Sequence, residues 1–315
     1  MSLRSVLPGL LLTALAACGG GEPPSDGGAE SPSEVGVMDV VARGLTFDAP
    51  DSVPSGWTTI RFRNESPMIH FAVVERMPEG YGAAEQQEAV APVFQDGMNL
   101  LADGDVDGAM ARFGDLPAWF GEIVFMGGPG LTSPGLTSEA TILLEPGTYL
   151  LECYVKTDGV FHSYNPDPQV MGMVREFRVT EESSGAPRPE PDVLMAISST
   201  SGIEMAQTPS SGVNTIAIHF TDQTVHENFV GHDVHLFRLP DDLAPSEVEA
   251  WMDWTRPGGL QTPAPAEFLG GLNEMPAGST GYITVDLSPG RYAWVAEVPG
   301  AGEKGMLRTF EVPED

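Results

Sequence analysis

Cys153 stands in Gly147-Thr148-Tyr149-Leu150-Leu151-Glu152-Cys153, with His162 and Met173 downstream and Asn64-Glu65-Ser66-Pro67-Met68-Ile69-His70 upstream. One thiol, two imidazoles and a more distant thioether form the donor set of a mononuclear blue-copper site, with the thioether tuning the potential. Such a set suits electron transfer, because holding both copper states in nearly one geometry keeps reorganisation small. A metal would also hold Cys153 as thiolate and shield it from oxidation. Each residue has a plainer reading as well. Cys153, on the apolar face of a strand, could be an inert buried thiol. His70 could be a strand-end histidine bonded to backbone, and Met173 a core side chain. His162 is the informative one, because a histidine in a loop has no packing reason to be there.

The elements that must position these residues have period two. Trp57 to Arg63 and Val213 to Phe220 alternate apolar and polar residues. Tyr149, Leu151 and Cys153 share one strand face, with Thr148, Leu150 and Glu152 on the other. Such strands, bounded by Pro-Gly and Asn or Asp turns, predict antiparallel sandwiches. Helical composition is confined to Ala83 to Leu101, Val106 to Phe113 and Pro245 to Trp254.

The pattern occurs twice. Gly147-Thr148-Tyr149 and the later Gly172-Met173 correspond to Gly290-Arg291-Tyr292 and Gly305-Met306. His70 to Pro78 corresponds to His232 to Pro240, and Phe125-Met126-Gly127-Gly128 to Phe268-Leu269-Gly270-Gly271. Matches in the same order predict duplicated domains. Ala296 falls at the place of Cys153, so the second copy lacks the thiol. His232 and His235, three apart on a strand, face opposite ways and cannot chelate together. His219, His226, His232 and His235 therefore read as packed or solvated, with a surface metal site the less favoured alternative.

These residues resemble the cupredoxins. In that family an Asn precedes the first His ligand, a strand ends in G-x-Y-x-x-x-C, and Met opens the strand after the ligand loop. The resemblance covers most of 38–180 and, more weakly, 192–313. It implies two tandem Greek-key β-sandwiches, an all-β fold with a small helical insertion in each. The implied ligands for one copper ion are His70, Cys153 and His162, with Met173 axial and Met171 as an alternative. Eight residues separate Cys153 from His162, a spacing like that of copper nitrite reductases, and ten separate His162 from Met173. Met68 and His70 with Met171 and Met173 could instead make a soft Cu(I) site for storage or delivery. Multicopper enzymes carry a His beside the Cys, where this chain has Glu152. The resemblance therefore predicts an electron-transfer or copper-handling protein and not an enzyme. A metal-free cupredoxin-like scaffold for protein or surface interaction is the rival expectation.

Residues 1–18 read as a leader: Arg4, an apolar stretch too short to span a bilayer, then Leu15-Ala16-Ala17-Cys18-Gly19, which resembles a bacterial lipobox. That predicts a chain lipidated at Cys18 and held at the cell envelope on its periplasmic or extracellular face. Residues 19–36, rich in Gly, Pro, Ser and acid, read as a flexible tether. The expected boundaries are 37–181 for the first domain, 182–191 for a linker and 192–315 for the second domain. A formal net charge of −30 makes nucleic acid a poor partner. The expected partners are the membrane, through the lipid, and a protein exchanging electrons or copper. Asp103-Gly104-Asp105 begins like a calcium loop, but Gly114 stands where a bidentate Glu is required, so it reads as a helix-entry turn.

Overall fold

Alternation in the sequence becomes alternation in burial. In the strand Ser52–Asn64, Ile60, Phe62 and Asn64 are buried, while Arg61 and Arg63 reach outward to Glu139 and Glu65. The description comes from a computed structural model and covers residues 35–314 apart from 168, 227 and 228. The expected lipidation at Cys18 and nearly all of the 19–36 tether lie outside the described residues.

Ten strands build the first half: β1 (Val37–Arg43), β2 (Thr46–Asp48), β3 (Ser52–Asn64), β4 (Val73–Arg76), β5 (Val124–Phe125), β6 (Thr137–Leu144), β7 (Gly147–Glu152), β8 (Lys156–Thr157), β9 (Val160–Phe161) and β10 (Val174–Ser183). Eight build the second: β11 (Val193–Ser198), β12 (Gly202–Met205), β13 (Gly212–Phe220), β14 (Val234–Arg238), β15 (Glu267–Leu272), β16 (Thr280–Leu287), β17 (Gly290–Val295) and β18 (Leu307–Val312). Helices α1 (Ala83–Ala89), α2 (Ala91–Ala102) and α3 (Val106–Phe113) sit between β4 and β5, and α4 (Pro245–Met252) between β14 and β15. They fall where helical composition predicts them. Asp105 caps α3 by accepting the Gly108 N–H at 2.9 Å, which is the helix-entry turn read at Asp103 to Asp105.

Strand pairing repeats between the halves. β1 pairs antiparallel with β2 and parallel with β3, as β11 does with β12 and β13. β3 pairs with β6 as β13 pairs with β16. The facing sheets are β5-β4-β7-β10 and β15-β14-β17-β18. Each half is thus a β-sandwich with a helical excursion at the same point in its connectivity. One joint is shared: β6 pairs antiparallel with β16 over Tyr282↔Thr141 to Thr284↔Glu139, so the inner sheets run on continuously. β10 extends to Ser183, two residues into the stretch expected to be linker, because its end pairs with Ser55 of β3.

Tyr149 and Leu151 of β7 point into the main core with Ile60, Phe62, Ile142 and Phe177. Leu150, on the other face, joins Met77, Ala83 and Val174 in a smaller cluster beneath the helices. The helical excursion therefore buries the face of β7 that an ordinary outer strand would leave wet.

Candidate metal centre

His70 is held by backbone hydrogen bonds, and the turn that leads to it is held by Asn64. Its N–H donates to the Thr132 carbonyl at 3.3 Å, and the Thr132 N–H donates back at 2.7 Å. The segment 128–133 continues outward to the second half, where Gly130 N–H donates to Gly271 at 3.0 Å and Gly270 N–H to Leu131 at 2.8 Å. The Asn64 amide donates to the Met68 and Thr132 carbonyls, both at 2.8 Å, and its oxygen accepts the Ser66 N–H at 3.0 Å. Asn64 thereby fixes the turn from β3 to His70, which accounts physically for an Asn ahead of this His.

Cys153 follows the last residue of β7. Its N–H donates to the Met173 carbonyl at 3.1 Å, and the Met173 N–H donates to the His162 carbonyl at 2.6 Å. The His162 N–H in turn donates to Val155 at 2.8 Å. The backbone at Met173 thus ties the Cys153 and His162 segments together, despite the long loop between His162 and Met173. Met173 is fully buried, whereas Met171 is 48% exposed.

The hairpin β8–β9 that carries His162 docks on the second half. Lys156 is buried, with Nζ donating to the Trp254 and Arg256 carbonyls at 2.6 and 3.1 Å. Burial pushes its pKa down to about 8. His162 Nε2 lies 2.9 Å from Thr157 Oγ1, which is 2.9 Å from Thr262 Oγ1 and 3.3 Å from Met68 Sδ. With Nε2–H donating to Thr157, and Thr157 donating onward to Met68, the Nδ1 lone pair of His162 is left facing Cys153.

The three side chains converge. His70 Nδ1 is 3.4 Å from Cys153 Sγ, His162 Nδ1 is 3.8 Å from it, and the two Nδ1 atoms are 3.1 Å apart. A point equidistant from all three lies about 2.0 Å from each, close to ordinary metal–imidazole and metal–thiolate lengths. All three side chains are buried. Burial pushes His70 down to about 4, with the Gly44 backbone acting against it. Burial and then the neighbouring His70 push His162 down to about 3. Burial pushes the Cys153 thiol up to about 12. Two neutral imidazoles aimed at one thiol make a soft donor set that a cation in the middle satisfies, and such a set suits copper.

A second buried group, Asp233, His235 and Glu297, also has its polar atoms close together. It does not fit a metal. Leu131 N–H donates to His235 Nδ1 at 3.0 Å, so Nε2 carries the proton and donates to Asp233 at 2.6 Å. Both ring nitrogens are committed, and Asp233 also accepts the Glu297 N–H at 2.6 Å. His235 is a packed histidine joining the halves. His232 is buried too, against His226 at 3.4 Å and the Asp222 carbonyl at 2.8 Å. His219 is exposed beside Thr280.

The second half repeats the backbone of the centre without its donors. Ala296 N–H donates to Met306 at 3.0 Å, and Met306 N–H to Ala301 at 2.7 Å. Ala296 and Ala301 therefore stand where Cys153 and His162 stand. Tyr149 and Tyr292 each donate their hydroxyl to a carbonyl four residues upstream, at 2.8 and 2.7 Å. The sandwich pairing, the His before β4, the Cys after β7 and the Met before β10 all fall in the order of one family. The fold is cupredoxin-like.

No family model matches the chain, and no curated protein matches it. Solved structures do. Auracyanin A, a "blue" copper protein from Chloroflexus aurantiacus, is 21% identical, with 46% of this chain and 98% of that one covered, at a TM-score of 0.27. A copper-containing nitrite reductase from Thermus scotoductus is 14% identical, with 89% and 61% covered, at 0.22. A multicopper oxidase is 14% identical, with 88% and 87% covered, at 0.22. These chain-length likenesses are to enzymes, which overturns the expectation that the chain is not one. The Glu152 argument concerns a single electron route past the cysteine and has no bearing on other catalysis.

Thr157, Thr262, Thr132 and Lys156 support the centre and were not read from the sequence. Their partners are distant in the chain, and no local period marks them.

Proposed function

We propose that the chain is an envelope copper protein in which His70, Cys153 and His162 would hold one copper ion, with Met173 as a further, weaker donor. The observation that carries this reading is the buried triangle of Sγ and two Nδ1 atoms. Copper bound there would supply a one-electron couple. The protein's part is to exclude water, to fix both imidazoles with Nδ1 inward, and to keep the thiol where it can lose its proton to a metal. The role that follows is electron transfer or copper handling, with a redox or copper-exchange protein as partner.

The reading includes two cupredoxin-like domains, 37–181 with the centre and 192–315 without it. It also includes a lipid anchor at Cys18 that places the protein at the bacterial envelope. Repeated pairing and the Ala296 and Ala301 replacements support the first point, and the lipobox-like Leu15-Ala16-Ala17-Cys18 supports the second.

The test is to add Cu(II) to the purified protein and record its visible spectrum. An intense blue thiolate-to-copper band that is absent in Cys153→Ser supports the reading. A colourless protein that retains no copper refutes it.

A further inference from the structure

Beside the ligand segments lies a cavity of about 340 Å³, within the size range of small-molecule sites. Tyr154, next to Cys153, and Phe161, next to His162, contribute to its wall, with Phe94 of α2 and Trp254 after α4. Three carboxyl side chains share that wall: Glu75 of β4, Glu152 of β7 and Glu274 after β15. No lysine, arginine or histidine lines it among the described residues.

The three acids are not equally satisfied. The Gln86 amide donates to Glu152 at 2.5 Å, and Glu274 takes the Gly231 N–H. Glu75 is 4% exposed, lines the cavity and has no hydrogen-bond partner among the described residues. A buried carboxyl group with neither donor nor cation is costly to keep, and it is retained here on an open wall. Aromatic rings attract a cation and not an anion at their faces, and Phe94, Tyr154, Phe161 and Trp254 line the cavity. A bare divalent metal ion needs six or more oxygens close around it. Aromatic walls cannot supply those, but they do suit an apolar body.

We propose that this cavity binds an organic ammonium ion carried on a small apolar body, with Glu75 as its counter-ion. Glu152 and Glu274 flank the charge, and Tyr154, Phe161 and Trp254 enclose the apolar part. The proposal stands apart from the copper reading, since none of the residues lining the cavity is a proposed ligand.

Calorimetric titration of the purified full-length protein tests it, with 2-phenylethylammonium as probe and 2-phenylethanol as its neutral counterpart. The ammonium is expected to bind at least about tenfold more tightly than the alcohol. Glu75→Gln, which keeps the shape, is expected to remove that preference and leave the alcohol unchanged. Glu274→Gln should reduce the preference less, and it serves as the second variant if Glu75→Gln does not fold. Equal binding of the two probes, no ammonium binding, a preference untouched by the variants, or binding of calcium chloride in place of the ammonium would each overturn the proposal.

Discussion

Cys153 and Ala296 make the same backbone hydrogen bond, to Met173 at 3.1 Å and to Met306 at 3.0 Å, and both are fully buried. The strand end and the turn after it therefore form with or without sulfur. Cys153→Ala should fold with its metal-free stability lowered by only about 1 kcal/mol, the cost of a small buried truncation. It should show no blue band and lose any copper-induced rise in Tm. Thermal unfolding of both proteins, with and without copper, measures this. A wild-type rise that survives in the variant would place the copper elsewhere.

Thr157 sets the orientation of His162. Its oxygen accepts Nε2–H at 2.9 Å and is anchored by Thr262, also at 2.9 Å. Thr157→Val keeps the shape and removes the acceptor. Partners of this kind typically contribute about 10–100-fold in metal affinity. Copper competition against a chelator should show a loss of that order, with the blue band weakened but present. Affinity equal to wild type would mean that packing alone orients the ring.

What was legible in the sequence was local. Alternation at Trp57 to Arg63 marks β3, and Gly147 to Cys153 marks β7 and the residue after it. The helical stretches from Ala83, Val106 and Pro245 are where composition puts them. His70 and Cys153 lie close to strand ends that the repeat marks, whereas His162 follows β9, which has no counterpart in the second half. What was not legible joins residues far apart in the chain. The β6–β16 pairing fuses two sheets across about 140 residues of chain. The 128–133 segment, wedged between His70 and β15, has no period of its own. The carboxyl wall draws Glu75, Glu152 and Glu274 from three separate elements. Each is unremarkable in its own strand or loop, and only the fold brings them to one cavity.

Buried carboxyl groups make stability depend on pH in a definite direction. Burial, then Asp233, pushes Glu274 from an ordinary 4.5 up to about 8. Glu75 is also raised, by burial and then by Glu152 and Glu274, and Glu297 by burial and then by Asp233, with Lys156 opposing. Between the two values the folded chain holds protons that the unfolded chain has released. The contribution of these acids therefore falls as pH rises from about 4.5. His70 and His162, which burial holds neutral down to about 4 and about 3, oppose it up to their ordinary 6.5. Above that the acids set the direction until the Glu274 contribution is exhausted past about 8. Each such acid lowers the unfolding free energy by up to about 1.4 kcal/mol per pH unit in its window. Urea unfolding of the metal-free protein at about pH 6.5, 7.2 and 8 should show the decline, and Glu274→Gln should flatten it. Stability rising over that range would contradict the argument.

Gly172 holds the two ends of the ligand loop together. A Cβ there would sit 2.1 Å from the Ser163 oxygen and 2.3 Å from its carbonyl carbon. Gln87 clamps the same two residues, accepting the Gly172 N–H at 2.6 Å and donating to the Ser163 carbonyl at 2.7 Å. Ser163 follows His162 and Gly172 precedes Met173, so a methyl group at this point pushes the two ligand segments apart. The atoms it meets are backbone and cannot swing aside. Gly172→Ala should cost about 1–3 kcal/mol, as overpacking generally does, and should weaken copper binding as well. Gly258→Ala is the control, since a Cβ there meets nothing within 4 Å, and it should leave both quantities near wild type. Denaturant unfolding and copper competition on the two variants check the pair. A Gly172→Ala protein that binds copper as wild type does would mean that His162 is positioned by β8–β9 alone.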